Sequence, residues 1–186
     1  ENICTFEIRL YQPDFFMKKN APIGIFDSGI GGLTVAKAIN DLLPNESLIY
    51  FGDTAHLPYG DKSAESVRGY SLRIAAFLKE HGCKAIVIAC NTASARATKS
   101  VIDLMGVDIP VINVIDPVAE YIGQTFKNQK VGVIATKGTI NSRVYPKRIH
   151  QYSTEVTVAT KATPLLAPMI EEGFYNNNIS KAVIHS

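Results

Sequence analysis

From Ile23 onward the chain alternates short, wholly apolar or aromatic runs with segments in which apolar residues recur every three or four positions. The runs 23–26, 48–51, 85–89 and 111–114 are rich in β-branched residues and too short for helices, which predicts strands buried on both faces. Between them, Val35, Ile39 and Leu42 share one helical face that closes at Pro44. Val67, Ile74 and Phe77 or Leu78 share a second that ends at Gly82, and Ala97, Val101 and Leu104 share a third. Apolar strands alternating with amphipathic helices predict a parallel sheet covered on both faces.

The pattern restarts at Asp116-Pro117, which predicts a first α/β domain over 22–115 and a second over 116–186. The second offers a helix with Val118, Ile122 and Phe126 inward, a strand over 131–135 and the turn Thr136-Lys137-Gly138-Thr139. A strand over 156–160, a short helix over 165–170 and the start of a helix at Ile179 follow. The segments IGIFDSG and VGVIAT look like one unit used twice, a glycine-bearing apolar strand that leads into a polar turn. The expected fold class is therefore α/β, with two similar parallel-sheet α/β domains facing a central crevice and the second incomplete. Its apolar positions around 131–134 and 156–158 are expected to stay uncovered. Residues 1–21 form an extension outside the pattern. Met17-Lys18-Lys19-Asn20 looks like a natural start, which makes 1–16 upstream sequence with no role in the fold.

Composition narrows the class. Hydrophobic residues make up 46% and charged residues 19%, enough to build a core, and the net charge of +2 comes with no long run of either sign. No basic nucleic-acid footprint is indicated. No apolar run reaches the roughly 18 residues of a membrane helix. Cys4, Cys83 and Cys90 form no CxxC and no zinc spacing, so neither a disulfide scaffold nor a metal is expected, and the odd count points to a reducing cytoplasm.

Ligands in open parallel sheets bind beyond the carboxyl ends of the strands. Asp27-Ser28-Gly29, Tyr59-Gly60 and Cys90-Asn91-Thr92 sit at or just after such ends, and Thr136 and Thr139 do so in the second half. Cys90 lies where an apolar strand meets a helix, so the helix N-terminus is expected to lower its pKa below about 8.5 and favour the thiolate. Cys83 has no polar company and reads as a small core hydrophobe. Asp27 and Ser28 suit a helix cap as well as a small charged ligand. Two rival motifs are weaker. Gly29-x-Gly31 imitates a dinucleotide fingerprint, but Thr34 replaces the third glycine and Asp27 would face the pyrophosphate. Cys90 to Arg96 has cysteine-phosphatase spacing, but no glycine lies between them to turn amides inward.

The segments IGIFDSGIGGLTVAKAI, IYFGDTAHLPYGDKS, AIVIACNTASA, IPVINVIDPV, VGVIATKGTINS and PLLAPMIEEG resemble glutamate racemases, in order and over nearly all of 22–175. The resemblance implies interconversion of L- and D-glutamate without a cofactor, by two cysteines on opposite sides of the substrate Cα. It further implies a cytoplasmic enzyme that supplies peptidoglycan synthesis and so cell wall and cell shape. Its partner is glutamate, with no nucleic acid and no membrane, and it allows a homodimer in the complete protein. Carried over, Cys90 is one acid/base, and Asp27 and Glu171 assist it. Asp27 and Ser28, Tyr59 and Gly60, Asn91 and Thr92, and Thr136 and Thr139 hold the ammonium and carboxylates.

Inversion removes a proton from one face and delivers one to the other, which one base cannot do to a fixed substrate, whereas two opposed thiols can. Fixed amide and hydroxyl donors stabilise the developing charge. Two departures from the family stand out. Thr163 occupies a position before Pro164 that is often a non-catalytic cysteine. The second catalytic cysteine belongs to a Gly-Cys-Thr-His motif that this chain does not contain. The step from Asp27 to Cys90, repeated from Thr136, lands at about position 199, past Ser186. The chain alone is accordingly expected not to invert glutamate. Two alternatives stay open, an isomerase of the same superfamily acting on another diacid, and a non-catalytic amino-acid-binding module.

Overall fold

The computed structural model describes residues 20–174 and 177–185, so the expectations for 1–16, Met17 and Cys4 lie outside the described residues. The chain runs β1 (Ile23–Asp27), α1 (Leu33–Leu42), β2 (Leu48–Gly52), a 3-10 turn (Tyr59–Asp61), α2 (Ala64–Glu80), β3 (Ala85–Ile88), α3 (Asn91–Met105) and β4 (Val111–Asn113). It continues through α4 (Ile115–Thr125), β5 (Lys130–Ala135), α5 (Lys137–Ser142), α6 (Val144–Tyr152), β6 (Thr157–Ala162), α7 (Leu166–Glu171) and α8 (Asn178–His185). The expected α/β class with two parallel sheets is what forms. The first sheet has the order β2-β1-β3-β4, and the second pairs β5 with β6. Among the described residues, no helix is long and apolar enough to cross a membrane.

Strand alternation sorts the first core. Ile25, Val87 and Ala89 face α1, where Ala36 is buried against them. Phe26, Ile86 and Ile88 face the other way into a larger core with Val67, Ile74 and Leu78 of α2 and Ala97, Val101 and Met105 of α3. From β1 the chain moves outward to β2, then returns past β1 to build β3 on its other side. The point where the order reverses, between the carboxyl ends of β1 and β3, is where an open parallel sheet leaves a crevice. Asp27 ends β1, and Cys90 follows β3.

The inward faces of several helices differ from the periodicity reading. Leu42 is 78% exposed, and Leu104 and Val118 are also exposed, with Met105 buried beside Leu104, whereas α2 buries Leu78, one of its two expected inward residues. In α1 and α4 the cause is close packing through small residues. In α4 the buried positions are Ile115, Ala119 and Gly123. A Cβ on Gly123 would lie 2.5 Å from Tyr152 Cβ and 3.1 Å from the Ile149 carbonyl oxygen of α6. The second core gathers Ala119, Ile149 and Val156, with Val131, Val158 and Tyr145 packed against it. Val156 is therefore covered, contrary to expectation, whereas Ile134 is 64% exposed. Asp116-Pro117 falls in the first turn of α4, where the missing proline N–H has no helical partner to lose. Helices α5 and α6 occupy a stretch for which the pattern predicts only a turn. They are separated by Arg143, which has a left-handed φ of 54°.

These contacts predict opposite signs for one substitution at two helical glycines. Gly69→Ala on α2, where the nearest atom to a new Cβ is Arg73 Nη1 at 3.9 Å, should stabilise the protein by up to about 1 kcal/mol. Gly123→Ala should destabilise it by about 1–3 kcal/mol through overpacking. Urea midpoints of the two variants check both directions.

Candidate active site

The turn after β1 is held from within. Asp27 is buried, and its Oδ2 accepts the backbone N–H groups of Gly29 at 3.3 Å and Gly32 at 2.9 Å. Gly32 leads into α1, so the carboxylate closes that helix's N-terminus. A Cβ on Gly32 would sit 2.7 Å from Asp27 Cβ and 2.9 Å from Ala89 Cβ, so only glycine admits this closeness. From β2, the Tyr50 hydroxyl donates to the Gly29 carbonyl at 2.9 Å and fixes the same turn.

Cys90 follows β3 and is the N-cap of α3, with Sγ accepting from Ala93 N at 3.5 Å. The thiol lies 3.5 Å from Ser28 Oγ, which brings the two strand ends together. Its pKa runs opposite to expectation. Burial, and then the charge of Asp27, push it up to about 11, although hydrogen bonding from Ser28 and Ala93 acts the other way. The helix end is present as foreseen, but desolvation and a neighbouring carboxylate outweigh it. The resting group is a neutral thiol.

Tyr59 and Gly60 form the third wall. Buried Tyr59 donates its hydroxyl to Asp53 Oδ2 at 2.5 Å, and His56 Nδ1 meets Asp53 Oδ1 at 2.7 Å. The Tyr59 hydroxyl is thus committed to the protein, and burial with the Asp53 bond raises its pKa. Gly60 permits a close approach between the two sheets' loops. A Cβ there would fall 2.6 Å from Thr136 Cβ.

Across the cleft, Thr136 caps α5 by accepting from Thr139 N. Three threonine hydroxyls meet at this point. Thr92 Oγ1 lies 2.9 Å from Thr136 Oγ1 and 3.3 Å from Thr139 Oγ1, and the latter two are 3.2 Å apart. Beside them Arg96 Nε donates to the Gly138 carbonyl at 3.1 Å, which makes it a strut between the units rather than part of an anion cradle. Glu171, at the end of α7, faces the β1 turn, with Oε1 3.3 Å from where a Gly29 Cβ would be. Burial first, then Asp27 and Glu172, raise its pKa.

Asp27, Ser28, Tyr59, Gly60, Cys90, Asn91, Thr92, Thr136, Thr139 and Glu171 all line one cleft of about 560 Å³. Thr163, Ile134 and Ile170 line it too, as does Tyr145, which the sequence reading missed. Tyr145 lies on α6, a helix that periodicity did not reveal. Asp53 and Tyr50 were also missed, since nothing in their local sequence marks them as supports. Cys83 is buried in the first core, away from the cleft. Among the described residues, no group of three or more His, Cys, Asp or Glu is arranged to hold a metal ion. The site offers carboxylates on the Asp27 and Glu171 side, hydroxyl and amide donors on the Asn91, Thr92 and Thr136 side, and one thiol between them. That layout suits a small zwitterion whose reacting carbon faces sulfur.

Known proteins share this frame. A family model described as Asp/Glu/Hydantoin racemase matches residues 23–180. A glutamate racemase of Geobacter metallireducens is 50% identical over 158 residues, which are 85% of this chain and 58% of that protein. A glutamate racemase of Neisseria meningitidis is 44% identical over 89% of this chain and 61% of its own length. The crystal structure of glutamate racemase from Francisella tularensis in complex with D-glutamate superposes with a TM-score of 0.82 at 44% identity, covering 88% of this chain and 61% of that one. The chain thus spans about three-fifths of the length of these relatives.

The raised thiol pKa has a testable sign. The neutral form is favoured below about 11, so alkylation of Cys90 should keep accelerating above pH 9 or so, without a plateau near neutrality. Asp27→Asn removes one of the two causes of the rise and should move the acceleration to lower pH. Peptide mass spectrometry across a pH series reads both. A plateau reached by about pH 8 in the unmodified protein would contradict the electrostatics.

Proposed function

The chain belongs to the Asp/Glu/hydantoin racemase family, and we propose that the complete protein interconverts L- and D-glutamate by proton transfer through thiols, with no cofactor. The observation that carries this reading is the meeting of Cys90, Ser28 and Asp27 at the reversal point of the first sheet, inside a cleft whose far wall supplies hydroxyl donors. The likeness to proteins named glutamate racemase supports glutamate as the substrate.

In the proposed chemistry the substrate ammonium pairs with Asp27, whose two backbone bonds fall on Oδ2 alone, and Glu171 flanks it. Asn91, Thr92, Thr136 and Thr139 donate to the carboxylates. Cys90 serves one face of Cα. As a neutral thiol it is ready to deliver a proton. For removal it must first become a thiolate, and an ammonium beside Asp27 offsets one of the two influences that oppose this. A group on the opposite face completes inversion. Among the described residues no second cysteine lines the cleft. We assign that group to the part of the relatives' length that this chain does not span, so the chain alone can exchange a proton on one face only. On this reading D-glutamate feeds peptidoglycan synthesis in the cytoplasm.

The test is racemisation of L-glutamate, with L-aspartate as the comparison, by the complete protein freed of pyridoxal phosphate. Turnover of glutamate should exceed that of aspartate. Cys90→Ala should lower kcat in both directions by about 10²- to 10⁴-fold or more. Cys83→Ala should cost stability but retain turnover, because Cys83 packs in the core. Preferential turnover of aspartate, or a larger catalytic loss from Cys83→Ala at unchanged stability, would contradict the assignment.

A further inference from the structure

Tyr145 is a polar residue of the cleft with no role in the chemistry above. It sits in the first turn of α6, just beyond Arg143, whose left-handed backbone redirects the chain after α5. Its ring packs against the core of Ala119, Ile149 and Val156. Its hydroxyl crosses to the other unit and donates to Asn91 Oδ1 at 2.7 Å. Both residues line the cleft.

Asn91 is the first residue of α3, and it is exposed. The last torsion of an asparagine side chain is broad and roughly two-fold, so an unsupported amide presents its oxygen or its nitrogen with similar ease. Presenting the oxygen to a carboxylate is repulsive, whereas presenting Nδ2 makes a donor. A hydroxyl that holds Oδ1 removes the wrong orientation before any ligand arrives. Burial raises the Tyr145 pKa, so the hydroxyl keeps its proton through neutral and mildly alkaline pH.

We propose that Tyr145 is a positioning residue of this site, holding Asn91 Oδ1 so that Asn91 Nδ2 faces the cleft and donates to a carboxylate oxygen of the substrate. This rests on the reading of the cleft as a glutamate site. Tyr145 acts through Asn91, and it contributes to binding of both enantiomers rather than to proton transfer.

Tyr145→Phe keeps the ring and deletes the hydroxyl. In the complete protein, KM for L- and D-glutamate should rise about three- to ten-fold, the scale of one pre-organised hydrogen bond, while kcat changes less than about twofold. Asn91→Ala should raise KM by itself. Adding Tyr145→Phe to Asn91→Ala should then change nothing further, which a merely structural role for the tyrosine would not produce. An unchanged KM in Tyr145→Phe, a fall in kcat at constant KM, or a full additional effect on the Asn91→Ala background would each overturn the proposal. If Tyr145→Phe lowers the melting temperature, D-glutamate affinity measured below the transition must show the same non-additivity. Absence of glutamate turnover in the unmutated protein would overturn the functional reading itself, and this inference with it. Normal turnover with a silent Tyr145→Phe would overturn this inference alone.

Discussion

The first turn of α3 is tied to both units, and the site depends on that restraint. Cys90 caps the helix with its sulfur and reaches Ser28 at the end of β1. Asn91 is held by Tyr145, and Thr92 closes a cluster of three hydroxyls with Thr136 and Thr139. One turn later Arg96 ties to the Gly138 carbonyl. Consecutive residues therefore face the first sheet, the cleft and the second unit. Glycine at 60 and 138 lets the loops close to this distance, since a Cβ at Gly138 would come within 3.1 Å of the Gly60 carbonyl oxygen. A helix fixed in this way can place a thiol with little freedom, which is what proton transfer at a fixed carbon requires.

The same closeness sets the chemistry. Asp27 is drawn into the crevice by two backbone amides, and its charge lies near a sulfur already stripped of water. Both influences oppose the thiolate. A cationic group bound against Asp27 weakens one of them, so ligand and reactivity are coupled through that carboxylate. An apolar or anionic ligand has no such effect. The pairing of buried acid and neutral thiol thus favours a substrate carrying its own ammonium.

Much of this was legible in the sequence, and the limits follow a physical line. Strand ends were readable because apolar runs of four or five residues stop abruptly at Asp27 and Cys90, and the parallel topology collects such ends. Faces of helices were less so. Periodicity weights large side chains, but α4 packs through Ala119 and Gly123, and α1 through Ala36, leaving Val118 and Leu42 exposed. The direction of the Cys90 pKa is not legible in the sequence, because a helix N-terminus can be seen there, whereas desolvation and the position of Asp27 are tertiary facts. Tyr59 lines the cleft, yet its hydroxyl belongs to Asp53. Tyr145 left no trace at all, since its partner Asn91 is far away in sequence and α6 has a single buried apolar residue, Ile149.

In the proposed mechanism Cys90 serves one face of Cα and a separate group serves the other. Incubating the complete protein with unlabelled L-glutamate in deuterium oxide, and analysing both enantiomers early in the reaction, tests this most directly. Separate donors and acceptors predict that newly formed D-glutamate carries solvent deuterium at Cα while the remaining L-glutamate keeps its protium. D-glutamate that retains the original Cα protium would mean a single group carries the proton across, and would contradict the account.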